Sequence, residues 1–477
     1  MRAQLNLLII ALLAAMTVNI SCSKKNVEAA EIHIPENRVI YEVFVRNFSP
    51  EGNLKGVEAQ IPRLKDLGVD VVWLMPIYEL GDTGLWGAYS SPYAIKNYMK
   101  IDPDNGTEDD LRNLVKTIHD NGMEIWFDWV GNHTSMDNEW VTTHPEFYTK
   151  DDSGDFVHPF GGVWKDVYEL DRDNEGMHNE MIKAMRYWVD NFDIDGYRCD
   201  YASGPSPEFW KKVTETVLKD GKRIAWLAED ASRPSLVKNG YFDYNYCWDF
   251  QTKVLKGFAN DSILDIESLR KACDLLANKG LTEGEVHESE VSVENPYDGR
   301  SRMVYLVNHD VVQDQGGSED IVYHKYLKPL TVLQFTVYGM PLLYNGQEIQ
   351  YKSGGRVSLA EKTTIDWSNV DTEMNSLIKT LAHLKHTQPA LRTGSQSGAL
   401  TNLVTTAEES VYAYKRTLGD ENVVVMLNFG DADSEFSISA GLPEGEYVNA
   451  LTGEEVELSA STQFVVPALD AAVFVKK

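Results

Sequence analysis

Short apolar runs alternate with longer amphipathic stretches along most of this chain, beginning at Arg38. Short apolar runs are typical of buried strands, and apolar residues every three or four positions are typical of helices. The predicted strands are 39–45, 69–75, 123–130, 194–199, 223–229, 241–246, 303–308 and 341–344. The predicted helices are 57–67, 107–121, 178–191, 207–220, 263–278, 321–337 and 373–385. This α/β alternation favours a parallel (β/α)8 TIM barrel over a doubly wound sheet.

Two segments interrupt the alternation, each after a predicted strand. Segment 80–102 is rich in Gly and Tyr, and segment 131–177 is rich in aromatic residues, His and Asp. Insertions after barrel strands lie on the carboxyl-end face, where such folds build active sites. We therefore expect a barrel over 38–392 that includes a small insertion subdomain at 131–177.

The helical pattern stops near residue 393. Short apolar runs separated by Gly, Asp and Asn turns follow at 410–416, 422–428, 435–438, 446–449, 454–458 and 471–475. Strands of this length with such turns indicate an antiparallel β-domain. We predict a C-terminal β-sandwich domain over 393–477.

The amino terminus is typical of an exported protein. Arg2 precedes an apolar run at 5–18, which is shorter than the roughly 20 residues of a membrane-spanning helix. The run ends in Ser21-Cys22, which resembles a bacterial lipoprotein cleavage site. The prediction is a signal peptide at 1–21, lipidated Cys22, a polar tether at 22–37 and a lipid anchor on the outer membrane, facing the periplasm or the outside. An ordinary cleaved signal or an uncleaved anchor stays open.

The charge balance restricts the class of partner. There are 44 Lys and Arg against 73 Asp and Glu, a formal net charge of −29. Such a chain repels phosphate, which argues against a nucleic-acid partner. The 43% hydrophobic content predicts a packed core rather than disorder.

Polar clusters follow four of the predicted strands. They comprise Asp128, Asn132 and His133; Arg198 and Asp200; Glu229 and Asp230; and Asn308, His309 and Asp310. Carboxyl ends of parallel barrel strands meet at one rim, so these side chains should lie together.

Several carboxylates beside an Arg suit glycoside hydrolysis by a pair of acids. In this hypothesis Asp200 is the nucleophile, Arg198 keeps it ionised, and Glu229 is the general acid/base. Each residue alone has a plainer interpretation, since an Asp at a strand end is commonly a helix cap or part of a turn. Rim carboxylates are also ligands for a divalent metal.

The ordered segments DWVGNH, GYRCD, Glu229 and NHD resemble the four signature regions of the α-amylase family of glycoside hydrolases. GVDVVWLMPI, SPYAIKNYMKIDPDNGT, HDNGMEIWFD and MPLLYNGQE, which lie around and between them, also match. The resemblance implies retaining cleavage of α-1,4 bonds in starch and maltooligosaccharides, without a cofactor for catalysis.

The resemblance also assigns roles to single residues. Asp200 matches the nucleophile, Glu229 the general acid/base, and Asp310 the carboxylate that stabilises the transition state. The residues that match the lining of the same subsite are Tyr93, Asp128, His133, Arg198 and His309. Aromatic residues near the insertions suit a sugar cleft, and among these Trp164 is a predicted sugar contact.

One departure concerns calcium. Many family members have Lys-His shortly after the nucleophile, where the His carbonyl helps to hold a structural Ca²⁺, whereas this chain has Tyr201-Ala202-Ser203-Gly204-Pro205. The missing pair puts calcium in doubt, although Asn132 and Asp171 stay candidate ligands.

Two alternatives to starch hydrolysis stay open. In the first, the same machinery acts on α-1,6 bonds, short cyclodextrins or trehalose, or transfers the sugar to another sugar instead of water. A protein of another class would bind starch at the surface without cleaving it. The three carboxylates argue against that alternative, because a silent scaffold does not need them in one pocket.

Overall fold

The computed structural model describes residues 37–84, 87–230, 233–248, 250–255, 265–279, 300–314, 322–352 and 358–477. The predicted signal peptide, Cys22 and all but the last residue of the predicted tether lie outside these residues. Within the described part of the chain, no helix combines the length and apolarity needed to cross a bilayer.

Eight parallel strands close into a barrel, as the sequence predicts. They are β1 (Ile40–Val43), β2 (Val71–Leu74), β3 (Glu124–Val130), β4 (Gly196–Asp200), β5 (Ala225–Ala228), β6 (Tyr244–Tyr246), β7 (Ser301–Tyr305) and β8 (Met340–Tyr344). The order around the barrel is β1-β8-β7-β6-β5-β4-β3-β2, and Ile40 pairs with both Val71 and Leu342 to close it. The TIM-barrel prediction is confirmed.

Helices cover the outside of the barrel. They are Val45–Phe48, Leu54–Glu58, Ile61–Leu67, Glu108–Asp120, Glu175–Phe192, Pro207–Thr216, Ser235–Lys238, Ile266–Lys279, His309–Asp314, Leu327–Thr336 and Glu373–Thr387. The helix Glu108–Asp120 shows why they form: Thr107 and Asp110 make a capping box, and Leu111, Leu114 and Ile118 form its buried stripe.

The predicted helix 57–67 is instead two helices, Leu54–Glu58 and Ile61–Leu67. Pro62 lies in the first turn of the second helix. Because proline has no N–H to donate, it is tolerated in a first turn but would interrupt a continuous helix.

Two small antiparallel pairs stand above the barrel on the inserted segments. Tyr78–Leu80 pairs with Ile95–Ile101 after β2, and His133–Ser135 pairs with Val167–Glu169 after β3. The second insertion also holds the short helices Trp140–Thr143 and Pro159–Gly162.

The carboxyl-terminal region is an antiparallel β-domain, as predicted. Its strands are β9 (Ala399–Thr405), β10 (Val411–Leu418), β11 (Glu421–Asn428), β12 (Ser434–Ala440), β13 (Gly445–Asn449), β14 (Glu455–Leu458), β15 (Gln463–Val466) and β16 (Ala471–Lys476). They pair in the order β14-β13-β16-β11-β10-β9-β12-β15. The sequence does not predict β9 and β15.

Buried cations join this domain to the barrel. The Arg416 guanidinium on β10 is fully buried and donates to the carbonyl oxygens of Thr336, Gly398 and Arg392. The inner face of the β-domain belongs to the same hydrophobic cluster as the barrel, whereas its outer layer forms a second cluster around Phe436 and Phe464.

Candidate active site

The strand ends bring the predicted polar side chains to one rim. Asp128 lies on β3, Arg198 and Asp200 lie on β4, and Glu229 directly follows β5. His309 and Asp310 begin the helix after β7. Parallel strands point the same way, so all of these residues occupy the carboxyl end of the barrel.

Arg198 holds three carboxylates together. Its fully buried guanidinium donates through Nη1 to Asp128 Oδ1 at 2.8 Å and to Asp200 Oδ1 at 3.0 Å. Its Nη2 forms an ion pair with Glu229 Oε2 at 2.8 Å, and its Nε donates to the Tyr246 hydroxyl at 3.1 Å. A planar guanidinium with several donors suits this role better than an ammonium would. Asp200 and Glu229 are therefore held by neighbouring nitrogens of one group.

Burial governs the protonation of these acids. Burial raises the pKa of Glu229 to about 7, Arg198 opposes the rise, and Asp200 adds to it. Burial likewise raises the pKa of Asp200 despite the opposing charge of Arg198, and Asp128 and Asp310 raise it further. The sequence predicts that Arg198 keeps Asp200 ionised. The structure shows that this cation is shared among three buried carboxylates, and that burial outweighs its effect on the pKa of Asp200.

Tyr93 and His309 form the opposite wall. The Tyr93 hydroxyl donates to Asp128 Oδ2 at 3.0 Å and lies 2.8 Å from His309 Nε2. The two rings stack at a centroid distance of 5.3 Å. His309 Nε2 also lies 3.4 Å from Asp310 Oδ1. Burial alone would lower the pKa of His309, but the carboxylates of Asp310 and Glu42 raise it to about 9.

His133 and Trp164 lie on the insertion side. Their rings meet edge to face with centroids 5.3 Å apart. Burial lowers the pKa of His133 to about 4, so this imidazole is neutral at pH 7 and can donate one hydrogen bond to a sugar hydroxyl.

These residues line a cleft of about 470 Å³. Among its lining residues are Tyr93, His133, Phe160, Trp164, Asp200, Tyr201, Glu229, Trp248, His309 and Asp310. Of the predicted site residues, Asp128 and Arg198 lie beneath this lining as its support. Other aromatic residues of the insertion, such as Trp140 and Phe147, are buried in the core instead.

Two buried residues of the site are missed by the sequence. Glu42 on β1 is fully buried, and its Oε1 is hydrogen-bonded to His309 Nδ1. Tyr246 on β6 bonds to Arg198. The only signal for Glu42 is a charged residue within the apolar run Ile40-Tyr41-Glu42-Val43, which equally fits an outward-facing side chain.

The predicted calcium ligands fit only in part. Asn132 Oδ1 is buried without a hydrogen-bond partner among the described residues, as a metal ligand would be. Asp171 Oδ1, however, already accepts the Asp173 N–H at 3.1 Å. In the described ranges, no group of three His, Cys, Asp or Glu side chains is arranged to hold a metal. Because Ca²⁺ takes six to eight oxygens, a calcium site here stays a prediction.

Comparisons with known proteins agree with this arrangement. The family model for the alpha amylase catalytic domain matches residues 24–167 and 161–396, and the model for the alpha amylase C-terminal all-beta domain matches residues 403–475. "Alpha-amylase 2" of Dictyoglomus thermophilum is 25% identical over 441 residues, which cover 85% of this chain and 71% of that protein.

Solved structures share the whole architecture. A noncanonic maltogenic alpha-amylase, AmyB from Thermotoga neapolitana, superimposes with a TM-score of 0.76 at 27% identity, covering 92% of this chain and 98% of that one. An alpha-amylase from Lactobacillus plantarum gives the same TM-score and identity, covering 92% and 99%. With both domains matched and the polar rim assembled, the chain belongs to the alpha-amylase family and is a glycoside hydrolase of the alpha-amylase type.

Proposed function

We propose that this protein cleaves α-1,4-glucosidic bonds in starch and maltooligosaccharides with retention of anomeric configuration. The observation that carries the proposal is the pairing of Asp200 and Glu229 on one guanidinium at the wall of an open cleft. The names of the relatives, alpha-amylase and maltogenic alpha-amylase, support the substrate class.

The two acids take different roles. Glu229, with a pKa of about 7, keeps its proton for a substantial share of the time at neutral pH. It donates that proton to the glycosidic oxygen while Asp200 attacks the anomeric carbon and forms a glycosyl-enzyme. Glu229 then removes a proton from water, which displaces Asp200 and releases the sugar with its original configuration.

The geometry favours retention over inversion. Asp200 Oδ1 lies 3.0 Å from Arg198 Nη1 and Glu229 Oε2 lies 2.8 Å from Nη2, and one carbon joins the two nitrogens. In inverting enzymes the two carboxyl groups lie about 6.5–9.5 Å apart, which leaves room for a water between the general base and the sugar. In retaining enzymes they lie about 5–5.5 Å apart. Two carboxylates side by side on one guanidinium suit the shorter spacing.

Product analysis tests the proposal. The chain from Ser23 onward is incubated with starch, pullulan and maltoheptaose, beside Asp200→Asn as the matched inactive variant. We expect shortened maltooligosaccharides from starch and maltoheptaose, released first as the α-anomer in proton NMR spectra, and none from Asp200→Asn. An initial β-anomer would overturn retention.

Other products would redirect the assignment. Intact starch with cleaved pullulan would indicate an α-1,6-acting enzyme, and products longer than maltoheptaose would indicate transfer between sugars. Starch that is removed from solution but not shortened would indicate a binding protein. Each outcome overturns α-1,4 hydrolysis as the main activity.

We also propose, from the sequence alone, that Cys22 carries a lipid that anchors the exported enzyme to the bacterial outer membrane. The support is the apolar run at 5–18 followed by Ser21-Cys22. In cells fed radiolabelled palmitate, the wild type should incorporate label and fractionate with outer membranes. Cys22→Ala should remain unlabelled, and equal labelling of the two would contradict the proposal.

A further inference from the structure

A carboxylate lies buried behind the sugar-facing histidine. Glu42 is the third residue of β1 and is fully buried, between Trp73 of β2 and Tyr344 of β8 in register. Its Oε1 is hydrogen-bonded to His309 Nδ1, and its Oε2 has no partner among the described residues. A buried carboxylate is costly unless it is paired, and His309 is the partner that the structure provides.

Counting the protons of the neighbouring hydrogen bonds places one proton on His309 Nε2. The Tyr93 hydroxyl has one proton and lies near two groups, Asp128 Oδ2 and His309 Nε2. Asp128 also accepts from Arg198, so as a carboxylate it can only accept, and Tyr93 must donate to it. The Tyr93 oxygen is then free to accept, and His309 Nε2 must be the donor.

One further proton lies between Nδ1 and Glu42 Oε1. Burial raises the pKa of Glu42, whereas the charge of His309 lowers it. The Asp310 carboxylate, 3.4 Å from Nε2, favours the proton on the ring, so that both ring nitrogens donate. We propose that Glu42 is a positioning residue that holds His309 as an imidazolium, with its Nε2–H directed into the cleft. That the cleft binds a sugar rests on the proposed function, whereas the protonation state of His309 does not depend on it.

The groups around the ring support a cation. Glu42 from β1, Asp310 from its own helix and the Tyr93 hydroxyl contact the ring directly. Asp128 of β3 and Glu229 after β5 lie within electrostatic range, and Arg198 of β4 opposes them. The net effect is a raised pKa at His309, although burial acts against it.

Glu42→Gln removes the negative charge of the side chain and keeps its shape. Glutamine keeps an oxygen that accepts from Nδ1 but cannot stabilise the cation, so the ring should lose the proton on Nε2. The Tyr93 hydroxyl would then donate to His309 Nε2 and no longer to Asp128. If the His309 pKa falls to the ordinary value of about 6.5, only roughly 3% of the rings stay protonated at pH 8, against about 75% at pH 6.

Nitrogen NMR of ring-labelled histidines tests the proton placement without substrate. His309→Asn identifies the His309 signals by their loss. We expect both nitrogens of wild-type His309 to carry protons at pH 8, and Glu42→Gln to be neutral there. A neutral wild-type ring at pH 8, or an unchanged cation in Glu42→Gln, would overturn the proposal. The wild-type measurement stands even if the variant does not fold.

Kinetics provide the second measurement. The ratio of kcat/KM for Glu42→Gln to that of wild type, on maltoheptaose, should fall roughly twentyfold or more between pH 6 and pH 8. A merely structural role predicts a pH-independent ratio and would overturn the proposal. Glu124→Gln makes the same chemical change at the amino end of β3 and should keep a constant ratio. If wild type cleaves no α-glucan, the proposed function fails while the NMR result still decides the role of Glu42.

Discussion

Arg198 is the residue on which the protonation of the whole rim depends. It contacts Asp128, Asp200 and Glu229 within 3.0 Å and is itself fully buried. Burial raises the pKa values of all three acids, and the guanidinium limits that rise. The pKa of Glu229 is thus kept near neutrality, which suits its proposed role as general acid.

The first prediction concerns pH. Because Glu229 must carry a proton to act as an acid, kcat/KM should fall as the pH rises through about 7. Because Asp200 must be ionised and burial raises its pKa, the acid limb should lie above the ordinary aspartate value of about 3.9. The profile is measured on maltoheptaose. The kcat/KM of Glu229→Gln should be roughly 10²- to 10⁴-fold lower than that of wild type, and its pH profile should lack the alkaline limb. An alkaline limb that persists in this variant would contradict the assignment.

Removing the central cation should destabilise the fold. Arg198→Met leaves three buried carboxylates uncompensated, so the free energy of unfolding at pH 7 should fall by about 3–5 kcal/mol. The loss of unfolding free energy should be smaller at pH 5, because the buried carboxylates of the folded variant then take up protons that the unfolded chain binds less readily. Urea titration followed by tryptophan fluorescence measures both. Arg186→Met removes an exposed pair with Asp190 and should cost about 1 kcal/mol at most.

Single residues also show what a sequence can reveal. Asp128, Asp200, Glu229 and Asp310 stand out because polar residues interrupt the pattern just where apolar strands end. Glu42 does not stand out, because one charged residue inside a short strand has no neighbour that marks which side it faces. Its partner His309 lies more than 260 positions away along the chain, so only the closed barrel brings them together.

Among the elements, the segment Pro159–Gly162 shapes the mouth of the cleft. Phe160 has a positive φ of 53° and is 43% exposed, which is unusual for a large aromatic residue. Its ring contacts Trp164 at 4.5 Å and Tyr201 at 5.0 Å, edge to face in both cases. The segment therefore presents an aromatic surface to the cleft that Glu229 also lines.

Phe160→Ala should weaken binding of long substrates. Pairs of aromatic rings gain about 0.5–1.5 kcal/mol beyond the burial of area. With a gain of the same size for a sugar ring on Phe160, KM for maltoheptaose should rise roughly two- to tenfold with little change in kcat. Maltotriose, which spans fewer sites, should show a smaller change. Val404→Ala alters an exposed aliphatic residue of the β-domain, away from the cleft lining, and serves as the control. Equal effects on both sugars would exclude Phe160 as a distal sugar contact.

The elements that sequence reasoning missed have physical explanations. On β9 the buried residues are Leu400, Leu403 and Thr405, and the register shifts between Val404 and Thr405. Leu400 and Leu403 lie three positions apart, which departs from the two-residue alternation that identifies a strand. The strand β15 has only four residues at the end of the sheet, too few for a recognisable pattern. The long barrel strands and helices carry stronger periodicity and are predicted.

At the scale of the whole molecule, the barrel and the β-domain share one hydrophobic cluster. Tyr412, Val423 and Val425 of the β-domain belong to the same cluster as the barrel core. Arg416 of β10 adds a buried guanidinium that donates to the Thr336 carbonyl of the barrel. Continuous packing of this kind predicts that the two parts unfold together.

The distribution of tryptophan allows this coupling to be measured. All 11 tryptophans lie before residue 393, so their fluorescence reports on the barrel alone. Phe436 lies on β12 in the cluster that belongs only to the β-domain, and Phe436→Ala should cost about 3–5 kcal/mol. If unfolding is cooperative, the urea midpoint read from barrel tryptophans should fall by the corresponding amount. Val465→Ala, on the paired strand but 64% exposed, should leave it unchanged. A midpoint that stays constant in Phe436→Ala, while far-ultraviolet circular dichroism shows early loss of β-structure, would instead show two independently stable domains.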